Sequence, residues 1–378
     1  MKRNFVLFAV TFFMLGAISI SCKKGTFSNA DKVTLDSLNV TEFALELEKS
    51  VLDGDTLFYA SSFDKEFLKT KLQDNSIAFS SLDASFGKDN FERYFHQIGI
   101  AAVSAIENYG DFKFVNYYVK DNEHHIVMRT YEQFTIKIDD WIVHVVDNKI
   151  KIKEGFLFNT STTLSNDLIY YLHQIAMLKT NPEGAIPHLV KATGLLMAGR
   201  EKEALKILEK NKVFLKQYPS YWKIYIMCLQ ELDVNKYIQR IDALKDEGYD
   251  SRSLLLHKLL FYVNSGNSEL SRQMIEQLIP FTGDDPIYLF LYGKALTLEG
   301  DYKNGMLCFQ NLETAMPLLW DVWCEKLECY YHLGDVDNFK KSALLGYNTF
   351  DMTEAELLDF INLHFPAMKK IEFFAKNS

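Results

Sequence analysis

The sequence predicts an α+β domain followed by an all-α helical array, both carried behind an N-terminal export signal. Three observations predict this. An uncharged apolar run from Phe5 to Ile20 leads to Cys22. The hydrophobic period changes from helical to strand-like just after Gly110. Beyond residue 185, a Gly-Asn or Gly-Asp pair recurs at a fixed interval.

The export signal reads in three parts. Lys2 and Arg3 make a positive start, the apolar run forms the core, and Ser19-Ile20-Ser21-Cys22 supplies small residues at a cut site. The run is short for a spanning helix, which needs about 20 apolar residues. Ser21-Cys22 resembles a lipobox, in which the cysteine is acylated and becomes the mature N-terminus; Ser19 stands where that motif usually has leucine. The Ser-Cys-Lys-Lys junction resembles those of Bacteroidota lipoproteins. The alternative is cleavage after Ser19, which leaves Cys22 unmodified. The resemblance implies an outer-membrane lipid anchor at Cys22, facing the periplasm. Several acyl chains, at roughly 0.8 kcal/mol per buried methylene, make such an anchor stable.

Residues 1–21 are thus read as signal and 22–38 as a polar tether. The remaining length fits two domains. The chain is 48% hydrophobic and 24% charged, as in ordinary globular proteins. Its net charge of −9, with no basic stripe, argues against nucleic-acid binding. Cys228, Cys308, Cys324 and Cys329 lie inside apolar helical patterns and read as small core residues. A bridge from Cys308 to Cys324 or Cys329 is the alternative. No spacing of cysteine or histidine fits a metal site, and no cofactor is expected.

Residues 39–180 are expected to form the α+β domain. Phe43, Leu45, Leu47, Val51 and Leu52 make one helical face, and a second helix falls at about 63–73. A third runs from Asn90 to Asn108, where Phe91, Phe95, Ile98, Ala102, Val103 and Ile106 recur near helical spacing. Gly110 stops it. Strands follow at 112–119, 126–131, 134–138, 141–146 and 149–158, with Asp147-Asn148 as a tight hairpin turn. A helix begins near Ser165. The order of helices, meander and helix resembles the NTF2-like, cystatin-related fold, carried by Phe134 through Ser165. That resemblance implies a concave pocket between sheet and helices. His96, His124, His125 and His144 with Asp139 and Asp140 offer titratable groups there. However, adjacent His124 and His125 point to opposite faces of a strand, and Asp139-Asp140 reads as an exposed loop. No nucleophile elbow, phosphate loop or HExxH motif occurs, so no catalytic residue is assigned and the chain does not read as an enzyme.

Residues 185–351 carry the repeat. Gly266-Asn267, Gly300-Asp301 and Gly334-Asp335 are spaced 34 residues apart, with Leu232-Asp233 one interval earlier and Gly199-Arg200 one residue short of the next. The unit from Asp285 to Pro317 places Leu289, Gly293, Leu296, Gly305, Phe309 and Pro317 on tetratricopeptide positions. Ala192 and Ala204 fit the first unit, and Trp323 and Tyr330 the last. Tyr225, Tyr237 and Phe339 stand where small residues are usual. Five helix pairs are expected, resembling the tetratricopeptide family, with residues 352–378 as a cap. Thr353-Glu-Ala-Glu356 opens the cap with a capping box, and Pro366 interrupts it.

The resemblance implies a groove that binds a peptide or protein segment, lined by Trp222, Ile226, Gln230, Leu256, Asn264, Phe290, Lys294, Thr297, Glu328 and Tyr331. The apolar ones among these equally fit packing against neighbouring helices. The leading expectation is therefore a membrane-anchored scaffold for protein–protein interaction in the cell envelope. The alternative is small-ligand binding or catalysis in the α+β domain. Asp36-Ser37-Leu38 and Asp55-Thr56-Leu57 further resemble the Bacteroidota O-glycosylation pattern.

Overall fold

Two aspartates set the start of the chain's first helices. Asp36 accepts from the Asn39 amide at 2.9 Å, and Asp55 accepts from the Phe58 amide at 2.9 Å. Each satisfies a donor that the first helical turn leaves free. In the computed structural model, which describes residues 33–74, 79–132, 135–180, 185–216, 218–229, 234–368 and 373, these aspartates cap α1 (Ser37–Leu52) and α2 (Thr56–Ser61). The signal, Cys22 and most of the tether lie outside the described residues. The buried face of α1 is Val40, Phe43, Ala44, Leu47 and Val51; Leu45 and Leu52, expected on that face, are exposed. Helices α3 (Lys65–Asp74) and α4 (Phe79–Glu107) follow. α4 starts well before Asn90, because the periodicity that reveals it begins only at Phe91.

The strands form one antiparallel meander in the order β1 (Asp111–Lys120), β2 (Glu123–Glu132), β3 (Thr135–Val146), β4 (Lys149–Leu157) and β5 (Thr162–Thr163). Asp147 and Asn148 both have positive φ, 49° and 60°, as a two-residue hairpin turn matching the strand twist requires. Asp121-Asn122 makes the same turn between β1 and β2. The segments expected at 134–138 and 141–146 are a single strand, with Phe134 outside the described residues. Asp139-Asp140 is not an exposed loop: it pairs with Met128 and Val127 in mid-strand, and both side chains are buried.

Alternation along β3 explains what each face meets. Trp141 and Val143 join Phe112, Ile126, Met128 and Ile152 in a core with α1–α4 and α5 (Leu164–Thr180). Ile136 and Ile138 point the other way, with Val127, Tyr131 and Phe158, into a second core built from the array. The sheet is therefore covered on both sides.

The array comprises five helix pairs among the described residues. They are α6 (Ala185–Met197) with α7 (Glu201–Lys210), then after the short α8 (Lys212–Leu215), α9 (Pro219–Leu229) with α10 (Val234–Ala243). The last three are α11 (Ser251–Asn264) with α12 (Ser268–Thr282), α13 (Ile287–Glu299) with α14 (Tyr302–Leu312), and α15 (Trp320–Leu333) with α16 (Val336–Thr349). The recurring dipeptide has a direct physical origin. Gly300 and Gly334 end α13 and α15 in the left-handed conformation, at φ 96° and 69°. The next residues, Asp301 and Asp335, then accept amide hydrogen bonds from Asn304 and Asn338 and so open α14 and α16. One dipeptide thus stops one helix and starts the next. Leu232-Asp233 lies outside the described residues.

Close approach within a pair needs missing side chains. A Cβ on Gly293 would sit 2.8 Å from both Cys308 Cβ and Phe309 Cε1. Tyr237, at a position where a small residue was expected, instead stacks on Phe261 with ring centroids 3.9 Å apart. The chain closes with α17 (Glu354–His364), whose Thr353–Glu356 capping box is present in both directions. Phe365 and Met368 complete a terminal core with Trp323, Leu327, Phe339 and Ile361. Residues 33–378 pack as one compact unit.

Candidate functional site

The sheet rests on the N-terminal ends of α11, α13 and α15, and a chain of polar contacts fixes it there. Arg129 on β2 is buried; its Nε donates to Asp285 just before α13 at 2.5 Å, and an Nη2 donates to Asp111 at 2.7 Å. Tyr131, two residues on and so on the same face, donates to Asp321 in the first turn of α15 at 2.7 Å. Its ring meets Phe290 edge-on with centroids 5.6 Å apart. At the start of α11, the Arg252 guanidinium lies 4.2 Å over the Phe156 ring and reaches Asp140 at 3.4 Å. Asp140 also accepts from Tyr118 at 2.6 Å and lies 2.9 Å from His125 Nδ1. The charge of Asp140 is thus answered inside the fold, which is why this aspartate tolerates burial.

This seating determines where the ten groove residues fall. Leu256 and Phe290 are buried in the core shared with the sheet. Ile226 is buried among the aromatic side chains of the earlier pairs, and Trp222 is half-buried beside it, donating from Nε1 to the Lys216 carbonyl at 2.8 Å. Thr297 is buried and donates to the Gly293 carbonyl at 2.9 Å. Lys294 pairs with Glu325 at 3.1 Å. Tyr331 is half-buried against Phe365 of the terminal core. Asn264 is exposed, and Glu328 pairs with His332 across one helical turn at 2.9 Å on the surface. Gln230 lies outside the described residues. The other nine do not form one continuous open groove, because the chain's own sheet takes the N-terminal ends of three first helices.

A second polar cluster lies on the opposite face of the sheet, which sequence reasoning missed. Asp139 is only 3% exposed, and its Oδ1 has no hydrogen-bond partner. The Lys137 ammonium stands 3.7 Å from its other oxygen. Burial raises the Asp139 carboxyl above its ordinary range against that pull. Trp141, two residues along the same face, is likewise buried, with the Tyr59 hydroxyl beside its indole. Tyr94 donates to Asp167 at 2.8 Å nearby, and burial raises both the Tyr94 hydroxyl and the Asp167 carboxyl. Around these groups, Phe63 meets the rings of Tyr59 and Trp141 edge to face and that of Phe95 at a tilt. A protonated Asp139 in such surroundings can donate or accept one hydrogen bond.

The histidines do not converge. His96 is exposed, His124 is 2.9 Å from the Tyr117 hydroxyl, and His144 is 2.8 Å from Asp64. Cys228, Cys308, Cys324 and Cys329 are free thiols, and burial raises the pKa of each, that of Cys329 to about 12. No group of potential metal ligands and no helix long and apolar enough to cross a membrane occurs among the described residues. Comparison with protein-family models, with curated proteins and with solved structures finds no match.

Proposed function

We propose that the protein is a lipid-anchored scaffold of the bacterial cell envelope, holding a partner protein on a tetratricopeptide-like array. The observation that carries this reading is the succession of five helix pairs among the described residues, behind an N-terminal apolar run that leads to Cys22. Stacked helix pairs present extended surfaces suited to protein segments. The sheet sits at the N-terminal ends of the first helices, while Asn264, the last residue of α11, is exposed and Glu328 in α15 is half-exposed. The partner docks on that side. A net charge of −9 favours a protein partner over nucleic acid.

Site-specific photo-crosslinking in intact cells tests this, with the probe at Asn264 or Glu328. The expected result is a discrete adduct with one envelope protein, absent when the probe replaces buried Leu256. Recovery of no adduct at either exposed position would reject the scaffold reading. Mass spectrometry of the mature N-terminus tests the anchor independently: acylated Cys22 is expected, and an N-terminus at Ile20 would remove it.

A second reading rests on Asp139 below the sheet, whose buried Oδ1 has no hydrogen-bond partner among the described residues. An acceptor left open in this way is the contact that a small hydroxyl-bearing ligand would need in a cradle below the sheet. A ligand-library thermal-shift screen, repeated with Asp139→Leu, separates the cases: hits lost in the variant support the cradle, and no hits in either protein remove it.

A further inference from the structure

The turn at 313–319, between α14 and α15, faces the last turns of α16 across a half-open cavity of about 250 Å³. Its walls are apolar, chiefly Val322, Trp323 and Phe350, and Leu345 lines it while remaining largely exposed. The wall is rigid on one side. Trp323 packs directly against α16 at Gly346, where a Cβ would come 2.1 Å from the indole, and its Nε1 donates to the Ser342 carbonyl at 2.8 Å. An apolar cavity of about 150 Å³ takes benzene, so this one holds a ligand of on the order of ten heavy atoms.

One cation breaks the apolar lining. The Lys326 side chain is 8% exposed, lines the cavity, and among the described residues pairs with Glu313, which lines it too. Burial pulls the Lys326 ammonium below its ordinary pKa, so its charged form gains from a nearby anion. Glu313 is the less fixed partner. It follows the last residue of α14, and its side chain is 52% exposed. Rotation of Glu313 into solvent restores its hydration at little cost, whereas Lys326 cannot follow it.

We propose that this cavity binds a medium-chain carboxylic acid, with the aliphatic chain against Val322, Trp323 and Phe350 and the carboxylate on Lys326 in place of Glu313. The site is separate from the partner-docking side of the array and does not depend on it. The charge–apolar combination sets the specificity: an alcohol of equal length fills the cavity but leaves the Glu313–Lys326 pair undisturbed.

Isothermal titration of residues 33–378 with octanoate and with 1-octanol tests the proposal. Octanoate is expected to bind one per chain and at least tenfold more tightly than 1-octanol. Lys326→Met should bring octanoate down to the level of 1-octanol while leaving 1-octanol binding in place. Glu313→Gln, at a half-exposed position and with a carboxamide oxygen that still accepts from Lys326, should tighten octanoate severalfold by removing the internal charged competitor. Equal affinities for the acid and the alcohol in the unaltered protein, no octanoate binding at millimolar concentration, or weaker octanoate binding in Glu313→Gln would each overturn it. If Lys326→Met does not fold, the Glu313→Gln titration decides.

Discussion

Burial holds the His257 imidazole at a pKa of about 4, with the Tyr249 hydroxyl 3.2 Å from its Nε2. The unfolded chain protonates this histidine near 6.5, so between those values the unfolded state binds more protons and stability falls as pH falls. Against His257→Gln, the unaltered protein should lose about 3 kcal/mol between pH 6.5 and 4, read from urea unfolding at each pH. Asp139 runs the other way. Its folded pKa lies above 3.8, so the folded state holds the extra proton and stability falls as pH rises through that window. Asp139→Asn should therefore stabilise the protein at neutral pH, and the gain should vanish under acid conditions; an unchanged difference across pH would show that Asp139 stays ionised. Arg129 is the costliest single side chain to lose. Arg129→Met leaves Asp285 buried without its cation, and a loss of about 3–5 kcal/mol is expected in the same unfolding assay. Neither aspartate of the Asp139-Asp140 pair was legible as buried, because two adjacent charges are far commoner in loops. What admits Asp140 is a set of partners distant in sequence, Tyr118, His125 and Arg252, while Asp139 has only Lys137 close to its charge.

At the scale of elements, the repeat was the most readable feature, since its marker is local: a glycine that ends one helix and an Asx that caps the next. The hairpin at Asp147-Asn148 was readable for the same reason. Helix pairing then depends on contacts no pattern displays. Gly346 in α16 shows the competition. Replacing a helical glycine by alanine ordinarily gains about 1 kcal/mol. Here the new Cβ would overlap the Trp323 ring, and overpacking costs about 1–3 kcal/mol. Gly346→Ala should therefore lower the melting temperature despite its better propensity, whereas Gly194→Ala in α6, which meets nothing within 4 Å, should raise it. A melting temperature raised by both substitutions would mean that α15 and α16 do not approach this closely.

For the whole molecule, a sheet buried on both faces joins the N-terminal helices to the array. A consecutive apolar run is the local trace of such burial, and Ile126-Val127-Met128 in β2 carries it. What lay against the second face could not be read, since Arg129 and Asp285 are 156 residues apart and Tyr131 and Asp321 are 190 apart. The linkage predicts one unfolding transition for residues 33–378, coincident by near-ultraviolet and far-ultraviolet circular dichroism. Two separated transitions would show that the sheet and the array are independent. The same separation constrains how the protein is made. A ribosome adds about 5–20 residues per second, so β2 emerges on the order of ten seconds before the helices that will cover it. During that interval the face carrying Val127, Tyr131, Ile136 and Ile138 lacks the array helices that cover it in the finished fold. The nascent protein thus passes through an aggregation-prone stage whose length is set by translation speed, and slowing the ribosome upstream of α11 should lower the soluble yield.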